Sequence, residues 1–556
     1  MRKRSAYLIF IFFILYSPIS IGQFTHADSL RGSYGPARSW WDVTKYDLHV
    51  KFNLEDSSIS GWNIITFKVL KKGNLMQIDL QEPLVIDSIF EINETPFEPK
   101  RTAYKKEKVK SYYKDGNAYF VSTTNNNLQT TNKLIVYYHG KPHVAKNAPW
   151  DGGIVWARDK NKNPWISIAC EGLGASVWYP CKDHQSDEPD SAELHITAPS
   201  ELVSVGNGRL RSKIDNKDGT STYSWAVVNP INNYCIIPYI GKYVNFNEVY
   251  KGEKGNLDMN YWVLDYNLEK AKKQFTDAPK MMKAFEYWFG PYPFYEDGYK
   301  LVDAPHPGME HQSAIAYGNS YQNGYYGRGD LSGTGWGMKW DFIIVHESGH
   351  EWFGNNITSK DIADMWIHES FANYSETLFT EYYYGKKAAS EYVIGIRKRI
   401  VNDIPIIGPY GVNKEGSSDM YYKGGNMLHT IRQIINNDEK FRMILRGLNK
   451  TFYHKTVTSK QVEDYINKNS GIDFSKVFDQ YLRTIMIPTL EYKIQKRNLF
   501  YRWTNCVKGF NMPVKIMLLK NQYSFIYPTE IFKQIKINDK DLKADDNFHI
   551  KTNKVN

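Results

Sequence analysis

The stretch "FIIVHESGHEWFGNNI" carries His346, Glu347 and His350 in the spacing H-E-x-x-H. Residues four apart share one face of a helix, so a helix here aims both imidazoles at one point. Two histidines leave a catalytic ion short, because such a site takes three protein ligands and keeps one position open. "MWIHESFANYSE" offers the third in Glu369, with 18 residues between it and His350. A loop and one helical turn fit in that gap, so Glu369 returns on a second helix antiparallel to the first. The expected ligands are therefore His346, His350 and Glu369, holding one Zn2+ per chain.

Glu347 lies beside His346 but outside the ligand set. It is placed to take a proton from a zinc-bound water and pass it to a leaving amine. Glu376, seven residues after Glu369 on the same face, is expected to support a ligand from behind. Asn355 and Asp364 are further candidates for that supporting task. Glu351 reads as a solvated helix residue, and His306, His311 and His368 as structural or rim residues, since three ligands are already assigned.

The rest of the 556-residue chain is long enough for several domains. From about 38 to 250 the pattern alternates. "YDLHVKFNL" puts Tyr46, Leu48, Val50, Phe52 and Leu54 on one face and Asp47, His49 and Lys51 on the other. This predicts an antiparallel β domain with one buried face. Near residue 265 the period becomes helical, with a stop at Gly290-Pro291. A Gly- and Tyr-rich loop follows, in which the tripeptide RGD carries no weight alone. The Glu369 helix is expected to close at Gly385, and Thr458 and Gln461 have capping-box spacing for a later helix. From 488 the period returns to two. The expected division is 1–22 signal peptide, 23–255 N-terminal β domain, 256–487 catalytic domain and 488–556 small β domain.

"MRKRSAYLIFIFFILYSPISIGQ" has a basic start, a short apolar run, a Ser17-Pro18 break and small residues at Ser20 and Gly22. It reads as a cleaved secretory signal, too short to span a bilayer comfortably. The expectation is a secreted or periplasmic protein with no stable membrane anchor after cleavage. Asn356 and Asn373 begin formal glycosylation sequons. A glycan on Asn373, four residues after Glu369, would obstruct the zinc site, which favours a bacterial envelope or extracellular setting without that modification. Formal charge is +10, but 70 basic residues face 60 acidic ones without a long basic tract. That pattern is a lysine-rich surface and argues against nucleic-acid binding. The four cysteines are too few for a disulfide scaffold. Cys170 and Cys181, the closest pair in sequence, are a candidate bridge, and all three complete pairings remain open.

H-E-x-x-H-x18-E followed by "WIHESFA" resembles the aminopeptidase N family of zinc metallopeptidases, the gluzincins. "HESGHEWFGN" is similar to that family's zinc helix, and "FGPYPFYEDGYKLV" to the strand entry before its exopeptidase motif Gly-x-Met-Glu-Asn. "PGMEHQ" supplies Gly308, Met309 and Glu310, with His311 where Asn is usual. "MYYKGG" resembles the Tyr-x-Lys-Gly segment. The resemblance implies that Tyr421 is the catalytic tyrosine, with Tyr422 as the neighbouring alternative. "ACEGLGASVWYPC" resembles the β-domain segment that lends an acidic or amide side chain to the cleft, which implies Glu171.

The resemblance spans nearly the whole chain from about Trp40 and implies a multidomain α+β fold. Its parts are an N-terminal antiparallel β domain, a thermolysin-like mostly helical catalytic domain and a small C-terminal β-sandwich-like domain, without the family's large C-terminal helical domain. The activity it implies is removal of N-terminal residues from peptides by attack of a zinc-bound water. Tyr421 would donate to the oxyanion, and Glu171 and Glu310 would hold the free ammonium of the peptide. The rival expectations are a zinc endopeptidase and a non-catalytic peptide-binding scaffold of the same fold.

Overall fold

A computed structural model describes residues 24–96, 102–124, 127–327, 329–519, 522–537 and 541–556. The expected signal peptide, 1–22, lies outside the described residues.

The alternating N-terminal stretches form an eight-stranded sheet. Its central strands are β1 (Trp41–Asn53), β2 (Ser58–Val69), β3 (Thr131–Gly140), β4 (Ser191–Pro199) and β5 (Thr220–Val227). Along β1, Tyr46, Leu48, Val50 and Phe52 are buried, as the alternation predicts. Each such side chain contributes about 1.5–3 kcal/mol on burial. The sheet is antiparallel except where β1 runs parallel to β4. A second sheet joins 203–205, 239–241, 164–169 and 153–158 in that order. Its strand Pro164–Ala169 leads directly into Cys170 and Glu171.

The region that follows opens on a hairpin, β6 (Tyr243–Gly252) and β7 (Gly255–Leu264). It continues with α1 (Asp277–Phe289), β8 (Tyr299–Asp303), β9 (Gly308–Met309) and β10 (Ile315–Tyr317). These strands form one sheet in the order β6-β7-β8-β10-β9. The boundary expected at 255–256 falls at the turn of the β6–β7 hairpin. β6 therefore shares the catalytic sheet, because β7 pairs with both β6 and β8.

Three of its further helices frame the site: α2 (Phe342–Gly349), α3 (Trp366–Gly395) and α4 (Tyr422–Ile435). α1 stops at Gly290, and α3 is interrupted at Gly385 (φ 86°, ψ 169°). Thr458 and Gln461 form a capping box on the helix Ser459–Ser470. The C-terminal strands make a four-stranded sheet and a separate two-stranded pair. Their apolar residues, Leu490 to Phe548, share one hydrophobic core with the catalytic helices.

All four cysteines are free, so the candidate Cys170–Cys181 bridge is not formed. Cys170 Sγ points to the Tyr234 carbonyl at 3.4 Å, while Cys181 is fixed by backbone pairing to Asp79. Among the described residues, no helix is long and apolar enough to cross a membrane.

Candidate metal centre and cleft

Asp341 caps α2 by accepting from the Ile343 and Ile344 amides, an interaction worth about 1 kcal/mol. Phe342, Ile343, Ile344 and Val345 are buried behind the site and fix the rotation of the helix. Regular helix ends sooner than the sequence suggests, at His350. Phe353 leaves helical geometry at φ −130° and ψ 94°, and Gly354 takes φ 138°, a conformation open to glycine. That break turns the Phe353 carbonyl back to accept from His350 Nδ1 at 3.1 Å.

His346 Nδ1 donates to Glu376 Oε1 at 2.8 Å. Both imidazoles are thus anchored through Nδ1, and both Nε2 lone pairs face inward. α3 brings Glu369 opposite them. Its Oε2 lies 3.6 Å from His346 Nε2 and 3.5 Å from His350 Nε2. Ligands of a tetrahedral zinc, each at about 2.0–2.2 Å, stand about 3.3–3.6 Å apart. Glu369 Oε2 is buried and accepts no hydrogen bond. An orphaned carboxylate oxygen between two inward lone pairs fits a divalent ion, and the nitrogen and oxygen donor set suits zinc. Charge agrees with geometry. Burial opposes a charged His350, yet Glu369 and Glu310 push its pKa up to about 9. Burial would raise Glu369, but His350 and His346 hold it well below the usual carboxylate range. The cluster asks for positive charge at its centre.

Glu376 is held by Asn373 Nδ2 at 3.1 Å and by the Tyr392 hydroxyl at 2.5 Å. Tyr392 was not among the expected residues, and nothing in its local sequence marks it. Asn355 supports the site differently from expectation, donating to the Glu310 carbonyl at 2.8 Å. Asp364 stands apart, accepting from Ser459 and Tyr410. Glu351 is not solvated. It is fully buried, accepting from the Ser313 amide at 2.8 Å and the Tyr292 hydroxyl at 3.1 Å, and burial pushes its pKa up to about 8. The break after His350 turns it inward. Asn356 and Asn373 are both buried, so neither sequon is accessible in the folded chain.

Glu347 sits across from β9. A Cβ on Gly308 would come 2.4 Å from Glu347 Oε1, so the glycine makes room for this carboxylate. Burial, opposed by His346 and His350, pushes Glu347 up to about 7. Met309 is buried beside it. Carboxylate oxygens of Glu310 and Glu347 and a ring nitrogen of His350 lie within 4.8 Å of one another. Glu310 also accepts from the Tyr234 hydroxyl at 3.0 Å, a partner without any sequence signal. Glu171 enters the same cleft from the β domain. Its Oε1 is buried without a hydrogen bond. Burial, then the charges of Glu310 and Glu369, raise its pKa well above the usual range. His311 packs behind this pair. The Tyr239 hydroxyl donates to the Ala314 carbonyl at 2.7 Å, so His311 Nδ1, at 2.5 Å, is the donor to Tyr239.

Tyr421 precedes α4, and its ring stacks on His346 with centroids 6.0 Å apart and planes at 24°. Burial, followed by the charges of Glu369 and Glu171, keeps its phenol protonated. Tyr422 also lines the cleft, under the charge of Glu376 more than of Glu369. All nine expected site residues line one cavity of about 900 Å3, together with Asp151 and Glu415, two acidic residues that no sequence signal marks.

Residues 275–481 match the Peptidase family M1 domain. Leukotriene A-4 hydrolase of Xenopus laevis is 22% identical over 323 residues, 55% of this chain and 49% of that protein. Probable aminopeptidase 2 of Sulfurisphaera tokodaii is 22% identical over 332 residues, 57% of this chain and 41% of that protein. The chain thus spans about half or less of the length of these curated relatives. The M1 zinc metallopeptidase of Deinococcus radiodurans has a similar fold, with a TM-score of 0.67 at 18% identity over 82% of this chain and 96% of that one. A mutant of it bound to a Tyr-Ser-Ala substrate aligns equally well, at a TM-score of 0.67. The matched segment, residues 275–481, is the part of the chain that carries the His346–His350–Glu369 cluster, and the fold around it is similar to that of the M1 zinc metallopeptidase.

Proposed function

We propose that this chain is a zinc-dependent aminopeptidase that removes residues one at a time from peptides with a free N-terminus. The observation that carries the reading is the carboxylate pair at the end of the cleft. Glu310 is buried and Glu171 half-buried, with its Oε1 enclosed, beside the ligand cluster, and the charges acting most on Glu171 are themselves carboxylates. Two such groups await a cation, and a peptide's terminal ammonium supplies it with directed hydrogen bonds. Because Glu310 stands so near Glu347 and His350, an ammonium held there leaves one residue's length before the reacting centre.

When bound, zinc would polarise the scissile carbonyl and lower the pKa of the attacking water. Glu347 takes a proton from that water and delivers it to the departing amine. Tyr421 donates its hydroxyl proton to the developing oxyanion. Glu376, through His346 Nδ1, and Phe353, through His350 Nδ1, keep the imidazoles oriented.

Acetylating the substrate amine tests the reading. It removes the charge, adds bulk and leaves the two carboxylates desolvated without a cation. A free-amine peptide is expected to shorten stepwise from its N-terminus. Its acetylated twin should be cut at least about 10³-fold more slowly, the factor that roughly 4 kcal/mol implies. Internal cleavage of the acetylated peptide at a comparable rate would replace this reading with an endopeptidase. Tyr421→Phe is expected to keep KM and lower kcat by about 10²–10³, the usual scale for one oxyanion donor. Parallel assays of Tyr422→Phe check the assignment, since a loss in that variant alone would move the role by one residue.

The basic start and apolar run of residues 1–22 support export to a periplasmic or extracellular setting, which N-terminal sequencing of the isolated protein tests. We divide the β domain from the catalytic region at about residue 242, ahead of the β6–β7 hairpin.

A further inference from the structure

A second histidine–carboxylate cluster lies on the outer face of the N-terminal sheet, on the polar side of β1. Asp47 and His49 on β1 stand opposite Glu193 and His195 on β4. We propose that Asp47, His49 and His195, with Glu193 at the margin, bind a second divalent transition-metal ion, separate from the catalytic one.

Three features of the catalytic cluster recur here. One carboxylate oxygen sits between two ring nitrogens: Asp47 Oδ1 is 3.0 Å from His49 Nε2 and 3.1 Å from His195 Nε2. That oxygen is buried and has no hydrogen bond of acceptable geometry, so the N–H axes do not point at it. The remaining nitrogen of one ring is anchored, His195 Nδ1 against Ser224 Oγ at 2.8 Å, which turns Nε2 into the cluster. Glu193 adds a fourth oxygen 3.5 Å from His195 Nε2, although its other oxygen is engaged by Lys45. A cavity of about 380 Å3, lined by Lys45, Glu193, His195 and Arg211, opens beside the group and leaves room for water to complete the coordination. Imidazole with carboxylate selects Zn2+, Ni2+ or Cu2+ over Mg2+ and Ca2+.

The two clusters differ in ring orientation. His346 and His350 meet at 81°, whereas His49 and His195 stack at 4.1 Å and 13°. Parallel rings cannot both aim at one ion. Ion capture therefore requires His49 to turn about its Cβ–Cγ bond and leave Trp62, on which it also stacks at 4.4 Å and 16°. Trp62 is 36% exposed and becomes the reporter of binding.

The experiment uses untagged full-length protein equilibrated with micromolar Zn2+ and freed of unbound metal. Elemental analysis is expected to find about two ions per chain, falling to about one both in the double variant His49→Ala/His195→Ala and in Glu369→Ala. The double variant should keep wild-type peptidase turnover, which also reports that it is folded. Ni2+ titration should quench a part of the wild-type emission that Trp62→Phe lacks, and Asp47→Asn should weaken that quenching at least about tenfold. One ion per wild-type chain, a second ion retained by the double variant, or Trp62 emission indifferent to Ni2+ would each overturn the proposal. In any of those cases Asp47 is only an ion-pair partner for two histidines.

Discussion

Glu369→Ala is expected to fold and to lose its ion. His346 and His350 would remain anchored through Glu376 and the Phe353 carbonyl, but two neutral nitrogens cannot replace the anionic third ligand. Zinc content should fall from about one per chain towards zero at the catalytic site. Turnover should fall with it by at least about 10³-fold, the factor implied by several kcal/mol of lost charge stabilisation. The two quantities must be measured on the same sample after removal of loosely bound metal, with His49 and His195 replaced so that the surface cluster does not contribute. Full occupancy at the catalytic site would transfer the third-ligand role to another carboxylate, and Glu310 lies within 4.8 Å of His350.

Glu347→Gln separates binding from chemistry. The amide has nearly the shape of the carboxylate and fits against Gly308, so the ion and the peptide should still bind. An amide cannot accept the water's proton, and kcat should drop by about 10²–10⁴ with KM close to wild type. Zinc analysis together with single-turnover kinetics reads this directly. A variant that lost its metal as well would mean that Glu347 supports the ligand set, and a variant that kept its rate would remove Glu347 from the proton path.

The convergence of His346, His350 and Glu369 was legible in sequence because it depends on short spacings. H-E-x-x-H and the 18-residue gap to Glu369 translate into two packed helices with few alternatives, and Glu376 follows from the same helical period. Supports that come from distant segments left no trace. Tyr234 and Tyr392 are two among 41 tyrosines, and only the fold brings them to Glu310 and Glu376. Glu351 was misread because a regular helix would carry it outward, whereas the chain breaks at Phe353 and Gly354. The β domain showed its alternation but not its neighbours. The parallel contact of β1 with β4 joins residues about 150 positions apart, and period alone does not determine pairing. The hairpin at 243–264 reads as β-domain sequence because its period is two, and only pairing with β8 assigns it to the catalytic sheet.

The segment from Gly308 to Ala314 is gripped by residues of the β domain. Asn207 Nδ2 donates to the Gln312 carbonyl at 2.7 Å, the Gly208 amide to Ser313 Oγ at 2.9 Å, and Tyr239 contacts both His311 and the Ala314 carbonyl. These bonds are buried, and Glu171 belongs to the domain that supplies them. On the proposed reading the ammonium-holding pair has one carboxylate on each side of this seam, and the seam would act as a ruler set to one residue. Loosening it at Asn207, which is remote from the proton path, would blur where the enzyme cuts before it slowed how fast it cuts. On that reading fidelity in choosing the bond would belong to the joint between domains, and mutations there would surface as altered product length.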